Sequence, residues 1–219
     1  IGKYKVYIID EVHMLSQSAF NAFLKTLEEP PQHAIFILAT TEKHKILPTI
    51  LSRCQIYDFN RISVQDAVGH LQYVAEKEGI HAEPEALTVI AQKADGGMRD
   101  ALSIFDQVTS FTGGNITYQG VIENLNVLDY EYYFRLVDYF LGNKVSDAMV
   151  LLNEVLRKGF DAHHFITGMA SHFRDLLVSK DPVTLPLLEV GASIRERYQQ
   201  QAQKCDQKFL YRAMKLCND

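Results

Sequence analysis

Two adjacent carboxylates follow an apolar run close to the beginning of the sequence. Residues 5–9 have the composition of a buried strand, and Asp10 and Glu11 come directly after them. Ligands bind at the carboxyl edge of a parallel sheet, where an aspartate can hold Mg²⁺ and a glutamate can polarise an attacking water molecule. The pair therefore predicts hydrolysis of a phosphate bond. The simpler alternative, that both acids only cap the following turn, stays open.

Two threonines occupy the equivalent place after a second apolar run. Residues 34–40 have the pattern of the next strand of the sheet, and Thr40 and Thr41 stand at its end. A hydroxyl group at that edge could orient the attacking water or sense the terminal phosphate. Threonine is also common in strands because it is β-branched, so the two residues could simply finish the strand.

Two arginines have positions from which a guanidinium group could reach a phosphate. Arg53 ends a short helical turn predicted near residues 47–53, and an arginine that reaches a neighbouring subunit's phosphate is worth about 10³ to 10⁵ in rate. Arg99 follows Gly96 and Gly97 in the first turn of a predicted helix, so a lid could swing it onto a phosphate. Instead of contacting a phosphate, Arg53 could simply be solvated at the surface, and Arg99 could pair with a nearby acid.

The elements that position these residues alternate between strand and helix as far as Arg61. Ser16 is predicted to cap a helix that ends before Pro30 and Pro31 and lies between the two strands. A third strand is predicted at residues 55–59. Continuous apolar runs indicate strands that are covered on both faces of a parallel sheet, as in one half of an α/β domain.

Beyond Arg61 the sequence has a helical pattern almost throughout. Ser63 with Asp66 indicates an N-terminal cap, and Gly79 and Pro84 mark helix boundaries. These signals predict three short helices in one small bundle. A second bundle of four or five helices is predicted further along the chain, at residues 129–141, 144–158, 161–180 and 192–217.

Composition limits the class of protein. The 219 residues are 47% hydrophobic and 22% charged, and no apolar run approaches the ~20 residues that a membrane-spanning helix needs. A net charge of −5 gives no electrostatic case for tight nucleic-acid binding, so any DNA contact must be local. Cys54, Cys205 and Cys217 are far apart and indicate reduced thiols. We expect a cytoplasmic protein without membrane contact, and, since no initiator methionine or signal peptide is present, an excised fragment.

Five motifs in this order resemble those of the bacterial DNA polymerase III gamma/tau subunits, the ATPases of the sliding-clamp loader. They are IIDEVHML, NAFLKTLEEPP, FILATTE, LPTILSRCQ and DGGMRDALSIFDQ, all within residues 4–110. By this resemblance the catalytic residues are the Walker B acids Asp10 and Glu11, the sensor 1 residue Thr41, and Arg53, which acts in trans. The resemblance also implies the nucleotide-binding residues Asp10, Thr40 and Arg99, with Arg99 as sensor 2 and Asp10 as the Mg²⁺ ligand when ATP is bound.

The resemblance implies a chain of the α/β plus all-α class in three regions. Residues 1–61 would be the distal part of an AAA+ domain, with the parallel sheet of a partial P-loop NTPase. Residues 62–122 would be a three-helix lid bundle, and residues 123–219 a C-terminal helical collar domain that oligomerises the subunits. The intact protein would use ATP and Mg²⁺ to load the sliding clamp. Its implied partners are other gamma/tau copies, the delta and delta prime subunits, the sliding clamp and primer-template DNA.

One motif of that family does not occur in the sequence. The phosphate-binding Walker A loop has the pattern G-x-x-x-x-G-K-[ST], whereas the single Gly-Lys pair here is Gly2-Lys3, followed by tyrosine. We therefore expect this chain neither to bind ATP tightly nor to hydrolyse it, although the intact protein would do both.

Three other classes share some of these features. A non-catalytic stator subunit similar to delta prime has the KTLEEPP and SRC motifs, but such subunits commonly lack intact Walker B acids. A DExH helicase fragment fits Asp-Glu-Val-His but needs a second α/β lobe, which the helical remainder of the sequence does not indicate. A metal-dependent hydrolase using Asp10 and His13 lacks a second ligand motif. His163, His164 and His172 are better explained as amphipathic-helix surface than as zinc ligands.

Overall fold

The computed structural model describes residues 3–218, which form two compact units, residues 3–60 and 61–218. Within the described range, no helix is both long enough and apolar enough to cross a bilayer.

The first unit is built around a pair of parallel strands. Strand β1, Lys5–Ile9, pairs with β2, Ala34–Leu38, so that Ile9 lies opposite Leu38 and both strands end at the same edge. Helix α1, Gln17–Glu28, connects them, and helix α2, Pro48–Leu51, follows β2. Short 3₁₀ turns lie at Val12–Met14 and Lys43–Lys45. The core of the unit consists of Val12, Phe20, Ile46 and Ile50.

The local signals that predict α1 are confirmed. The Ser16 hydroxyl accepts a hydrogen bond from the backbone N–H of Ala19 at 3.3 Å and thereby satisfies one of the helix's first amides. The helix ends before Pro30, which lacks an N–H with which to continue it. One face of α1 packs on the sheet, where the ring of Phe23 meets the ring of Phe36 edge-on at 5.3 Å.

Two expectations for this unit are wrong. Residues 55–59 are not a strand, because the described sheet has only β1 and β2 and this segment makes no ladder of hydrogen bonds with either of them. The strands are also not covered on both faces. On the face opposite α1, no other element of the first unit packs on the sheet. Its exposed side chains are Val6, Ile8, Ile35 and Ile37.

The second unit begins with four helices around one core. They are α3, Val64–Glu78; α4, Pro84–Lys93; α5, Met98–Thr112; and α6, Tyr118–Asn124. Ser63 caps α3 by accepting from the N–H of Asp66 at 3.1 Å, and Gly79 ends it at φ 67, which confirms both predicted boundaries. Sequence reasoning did not predict α6, nor the two-residue parallel pair of β3, His81–Ala82, and β4, Asn115–Ile116.

Five helices form a second core in the same unit. They are α7, Tyr130–Leu141; α8, Val145–Arg157; α9, Ala162–Val178; α10, Ala192–Lys204; and α11, Gln207–Asn218. Their largest buried side chains include Leu151, Leu176, Tyr198 and Leu210. The expected bundle is therefore present, and its first three helices lie within two residues of the predicted bounds.

The single helix expected at residues 192–217 is wrong, since the chain breaks between α10 and α11. Cys205 has an extended backbone, and the ammonium group of Lys180 donates to the carbonyl oxygens of Ala202 and Cys205, both at 2.7 Å. A cation at the end of a helix stabilises its unpaired carbonyl groups. Because Lys180 follows a different helix, nothing in the local sequence predicts this break.

The interpretation of His172 as helix surface is also wrong, although His163 and His164 are exposed as expected. His172 is buried between helices, with Nδ1 2.8 Å from the Tyr198 hydroxyl and Nε2 3.2 Å from Oε1 of Gln201. Burial lowers its pKa to about 4, because the charged form loses its hydration. Its hydrogen bonds therefore belong to a structural network inside the second core.

Candidate functional site

The two acids lie where the carboxyl ends of β1 and β2 meet. The backbone hydrogen bonding continues past the strands. The N–H of Ala39 donates to the carbonyl oxygen of Ile9 at 2.9 Å, and the N–H of Val12 donates to the carbonyl oxygen of Ala39 at 3.0 Å. These two bonds bracket Asp10 and Glu11 and fix the point at which the chain leaves the sheet. Both acidic side chains are exposed, as a site that receives a ligand from solvent requires.

Glu11 has an unusual backbone conformation. Its φ and ψ are both 46, in the left-handed region, which costs a residue with a β-carbon on the order of 1 kcal/mol. The N–H of Glu11 donates to Oδ1 of Asp10 at 3.0 Å, and the following residues form a tight 3₁₀ turn. This conformation turns the chain sharply at Glu11. The side chains of Asp10 and Glu11 therefore do not continue the pattern in which successive side chains of a strand point to opposite faces.

Glu11 contacts one of the predicted threonines. The hydroxyl of Thr41 donates to Oε2 of Glu11 at 3.3 Å, across 30 positions of sequence. Two residues that sequence reasoning assigned to the same chemistry are thus neighbours in space. The contact needs both strands to end at one edge, and their parallel register provides this.

His13 joins the same cluster and was missed as a functional residue. Its Nδ1 lies 2.9 Å from the Thr40 hydroxyl and 3.3 Å from Oε2 of Glu11, while its Nε2 lies 3.1 Å from Oε2 of Glu42. The imidazole is only 8% exposed. Sequence reasoning considered His13 only as a metal ligand beside Asp10. The sequence feature that could have pointed to His13 was its position two residues after Glu11, where the strand is followed by a turn.

Glu42 completes the cluster at the second ring nitrogen of His13. Its Oε2 accepts from the ammonium group of Lys45 at 2.6 Å, and its backbone N–H donates to the Thr40 hydroxyl at 3.0 Å. The hydrogen bond from Lys45 lowers the pKa of the Glu42 carboxyl group. Glu42 is therefore ionised near neutral pH and faces the imidazole of His13 as an anion.

Arg53 makes its contacts elsewhere in the first unit. Nη1 donates to the carbonyl oxygen of Thr49 at 2.8 Å, and Nη2 donates to Oε1 of Glu28 at 3.1 Å. Both side chains of this ion pair are substantially exposed. Desolvation raises the pKa of the neighbouring Cys54 thiol, so Cys54 does not have the character of a nucleophile.

Arg99 belongs to the second unit, as the second residue of α5, and is exposed. The chain approaches α5 through Gly96, whose φ is 82 and where an added β-carbon would lie 2.6 Å from Cβ of Arg61. Arg61 also pairs with Asp95. An open groove of about 690 Å³ lies against this turn and is lined by Arg61, Lys93, Ala94, Asp95, Gly96, Gly97, Asp100, Ser103 and Ile104.

The donor groups at the end of the strands suit a hard cation. Carboxylate and hydroxyl oxygens come from Asp10, Glu11, Thr40 and Thr41, and Mg²⁺ prefers such oxygen ligands. Within residues 3–218, however, no group of three or more His, Cys, Asp or Glu side chains could hold a metal ion. Oxygen ligands of this kind are those with which proteins hold Mg²⁺ together with the oxygens of a phosphate group.

Two family models match the chain in succession. Residues 1–63 match a model described as the DNA polymerase III delta subunit, and residues 66–114 match one described as the ATPase lid domain of a DNA polymerase III clamp-loader subunit. Among solved structures, the Holliday junction branch migration motor RuvB of Thermotoga maritima aligns with a TM-score of 0.50. At 19% identity the alignment covers 62% of this chain and 50% of RuvB. This likeness assigns the fold, that of a partial AAA+ module.

The curated relatives are more similar in sequence. DNA polymerase III subunit tau of Bacillus subtilis is 44% identical over 98% of this chain, and the Escherichia coli subunit tau is 42% identical over 77% of it. The chain belongs to the gamma/tau family of DNA polymerase III subunits. It spans 38% and 26% of the length of these two relatives, respectively.

Proposed function

We propose that the protein containing this chain is an ATPase subunit of a DNA polymerase III clamp loader, which couples ATP hydrolysis to placing the sliding clamp on primer-template DNA. The observation that carries the proposal is the contact between Glu11 and Thr41 at the shared edge of two parallel strands, in a chain of the gamma/tau family. In this proposal the Glu11 carboxylate and the Thr41 hydroxyl, which are hydrogen-bonded to each other, lie beside one ligand position. Its partners would be other gamma/tau copies, the delta and delta prime subunits, the clamp and DNA.

The residues at the strand edge have separate roles in this proposal. Glu11 accepts a hydrogen bond from the attacking water and withdraws its proton in the transition state, while Thr41 holds the Glu11 carboxylate in place. Asp10 is the metal ligand, and Thr40 contacts the nucleotide. When bound, Mg²⁺ supplies charge neutralisation at the phosphate oxygens. The cofactors of the intact protein would accordingly be ATP and Mg²⁺.

The two arginines would act on phosphates from outside this edge. Arg53 would complete the site of a neighbouring subunit, and its pair with Glu28 supports this role because an exposed ion pair contributes only about 0–1 kcal/mol. The guanidinium group can therefore leave Glu28 at small cost. Arg99, exposed in the first turn of α5, would contact the nucleotide from the lid.

The three-region division of the chain is part of the proposal. We assign residues 1–61 to the ATPase domain, 62–122 to the lid and 123–219 to a collar through which subunits associate. Two separate hydrophobic cores in the second unit support the boundary between lid and collar. The match of residues 66–114 to a lid-domain model supports the lid assignment.

The test of this function uses the intact protein in an assembled clamp loader. Glu11→Gln removes the acceptor for the water proton but keeps the side chain's size, so we expect ATP affinity to stay within about threefold and turnover to fall by at least about a hundredfold. Clamp loading on primed DNA should fall with turnover. Glu29→Gln, an exposed acid just after α1, is the matched control and should change neither. Unchanged turnover in Glu11→Gln would contradict the assignment.

The 219-residue chain by itself is expected to be inactive. Its sequence contains no G-x-x-x-x-G-K-[ST] loop, and the described cluster provides acids and hydroxyls but no cradle of amides for phosphates. Purified chain should show neither magnesium-dependent ATP turnover nor tight ATP binding in calorimetry. Turnover that Glu11→Gln abolishes would overturn this expectation.

A non-catalytic stator role is the second candidate, because the model that matches residues 1–63 is described as a delta subunit. In that case Asp10 and Glu11 would have no reaction to serve. The complex carrying Glu11→Gln would then hydrolyse ATP at the wild-type rate. The same measurement thus separates the two roles.

A further inference from the structure

We propose that His13 is a positioning residue, which holds the carboxylate of Glu11 and the hydroxyl of Thr40 in a fixed arrangement at the end of the two strands. The inference rests on the proposed function, because Glu11 is the group that would handle the attacking water. His13 itself does not contact the reacting atoms in this proposal. Its effect is exerted through Glu11.

The contacts of the imidazole connect the two strand ends. Nδ1 is shared between Thr40, at 2.9 Å, and Glu11, at 3.3 Å, so one ring nitrogen links the second residue after β1 to the second residue after β2. On the other side, Nε2 lies 3.1 Å from Oε2 of Glu42. The ring is thereby held at both nitrogens and has little freedom to rotate.

The burial of His13 differs from that of the groups it contacts. Its side chain is 8% exposed, whereas those of Glu11 and Glu42 are 49% and 34% exposed. The imidazole therefore fills the space behind two carboxylates that face solvent. A nearly buried ring needs partners for its nitrogens, and the cluster supplies them.

Glu11 needs such a support because of its own conformation. Its backbone lies in the left-handed region, and its side chain is half exposed and long, with several rotatable bonds. Thr41 contributes one hydrogen bond at 3.3 Å, and the ring of His13 restricts the same oxygen from a second direction. Misplacement of a reacting group by about 1 Å can cost on the order of a hundredfold in rate.

Two conservative substitutions separate the contacts of the two ring nitrogens. The amide nitrogen of asparagine can take the place of Nδ1, and that of glutamine can take the place of Nε2. His13→Asn keeps the contact with Thr40 and Glu11 and loses the one with Glu42, whereas His13→Gln does the reverse. His13→Ala loses both. If the ring only filled space, the larger glutamine would be the better replacement.

The experiment measures ATP turnover, ATP affinity and thermal melting of the intact protein in its clamp-loader complex. We expect His13→Asn to keep kcat within about threefold, and His13→Gln and His13→Ala to lose roughly tenfold or more, with ATP affinity unchanged in all three. His33→Asn, at an exposed histidine before β2, is the matched control and should behave as wild type. Glutamine performing as well as asparagine would overturn the proposal.

Variants of Thr40 and Glu11 complete the experiment. If the His13 variants melt far below the wild type, Thr40→Ser and Thr40→Val replace them, because serine keeps a hydroxyl for Nδ1 and valine removes it at nearly constant volume. At saturating ATP, retained kcat in Thr40→Ser and reduced kcat in Thr40→Val support the proposal, and equal kcat overturns it. Glu11→Gln is measured alongside. Wild-type turnover that does not depend on Glu11 overturns the proposed function and this inference together, whereas Glu11-dependent turnover that ignores His13 overturns the inference alone.

Discussion

The two compact units differ in how completely they cover their apolar side chains. In the first unit one sheet face packs on α1, while Val6, Ile8, Ile35 and Ile37 on the other face remain exposed. In the second unit the helices enclose two cores with fully buried residues such as Phe105 and Leu151. The candidate residues at the strand ends therefore lie on the unit with the smaller core, where hydrogen bonds between side chains hold several of them in place.

A pair of phenylalanines gives the largest expected contrast. Phe105 in α5 is 1% exposed, and Phe59 after the sheet is 94% exposed. Phe105→Ala leaves a cavity in the first helical core and should lower the free energy of unfolding of the second unit by about 3–5 kcal/mol. Phe59→Ala should change the free energy of unfolding by less than about 0.5 kcal/mol. Urea unfolding followed by circular dichroism measures both, and similar losses would remove the contrast.

A partly buried acid of α9, beside the second core, gives an effect of intermediate size. Burial raises the pKa of Asp175 to about 6, from an ordinary value near 3.8. Since the folded state then binds a proton more tightly than the unfolded state, the contribution of Asp175 to stability decreases as pH rises from about 4 to 6.

Asp175→Asn removes that titration and should stabilise the second unit by about 1–2 kcal/mol at pH 8, with the gain vanishing near pH 4. Asp106→Asn, at an exposed position of α5, supplies the control for the substitution itself and should change the free energy of unfolding by less than about 0.5 kcal/mol. Urea melts at a series of pH values test both variants. A gain that is constant across pH would show that packing, rather than ionisation, is responsible.

The exposed sheet face gives the smallest expected effect. Ile8 is 70% exposed, so Ile8→Thr keeps the β-branched shape suited to a strand and should change the free energy of unfolding of this chain by less than about 0.5 kcal/mol. Val12→Thr, at a buried position just beyond β1, is the matched substitution and should cost more than about 1 kcal/mol. An equally large loss at Ile8 would mean that this face is covered in solution.

Sequence patterns predicted the elements that have local signals. Ser16 and Ser63 cap their helices, Gly79 ends α3, and the two apolar runs before Asp10 and Thr40 form parallel strands. The caps and helix ends depend on residues within a few positions of one another, and each apolar run is recognisable by itself, although the pairing of the two strands is not local. The prediction of a strand at 55–59 was wrong, because a strand needs a hydrogen-bonding partner and the local sequence does not specify one.

The candidate site was predicted in part. The types and order of Asp10, Glu11 and Thr41 were enough to expect them at one sheet edge, and Thr41 does donate to Glu11. The roles of the candidate residues remain proposals. The proposed role of His13 was missed because it depends on contacts with Thr40 and Glu42. These residues are about 30 positions away in sequence and come close to His13 only when β2 pairs with β1.

The sequence by itself determined the family, the strand-end acids and most helix boundaries, because these are written in residue types at short spacing. Only the tertiary structure decided three other features: the left-handed turn at Glu11, the burial of His172 against Tyr198, and the helix break that Lys180 stabilises near Cys205. Each of these depends on which distant groups supply hydrogen bonds or exclude water. Such partners are set by the packing of whole elements, and no local pattern of residues encodes them.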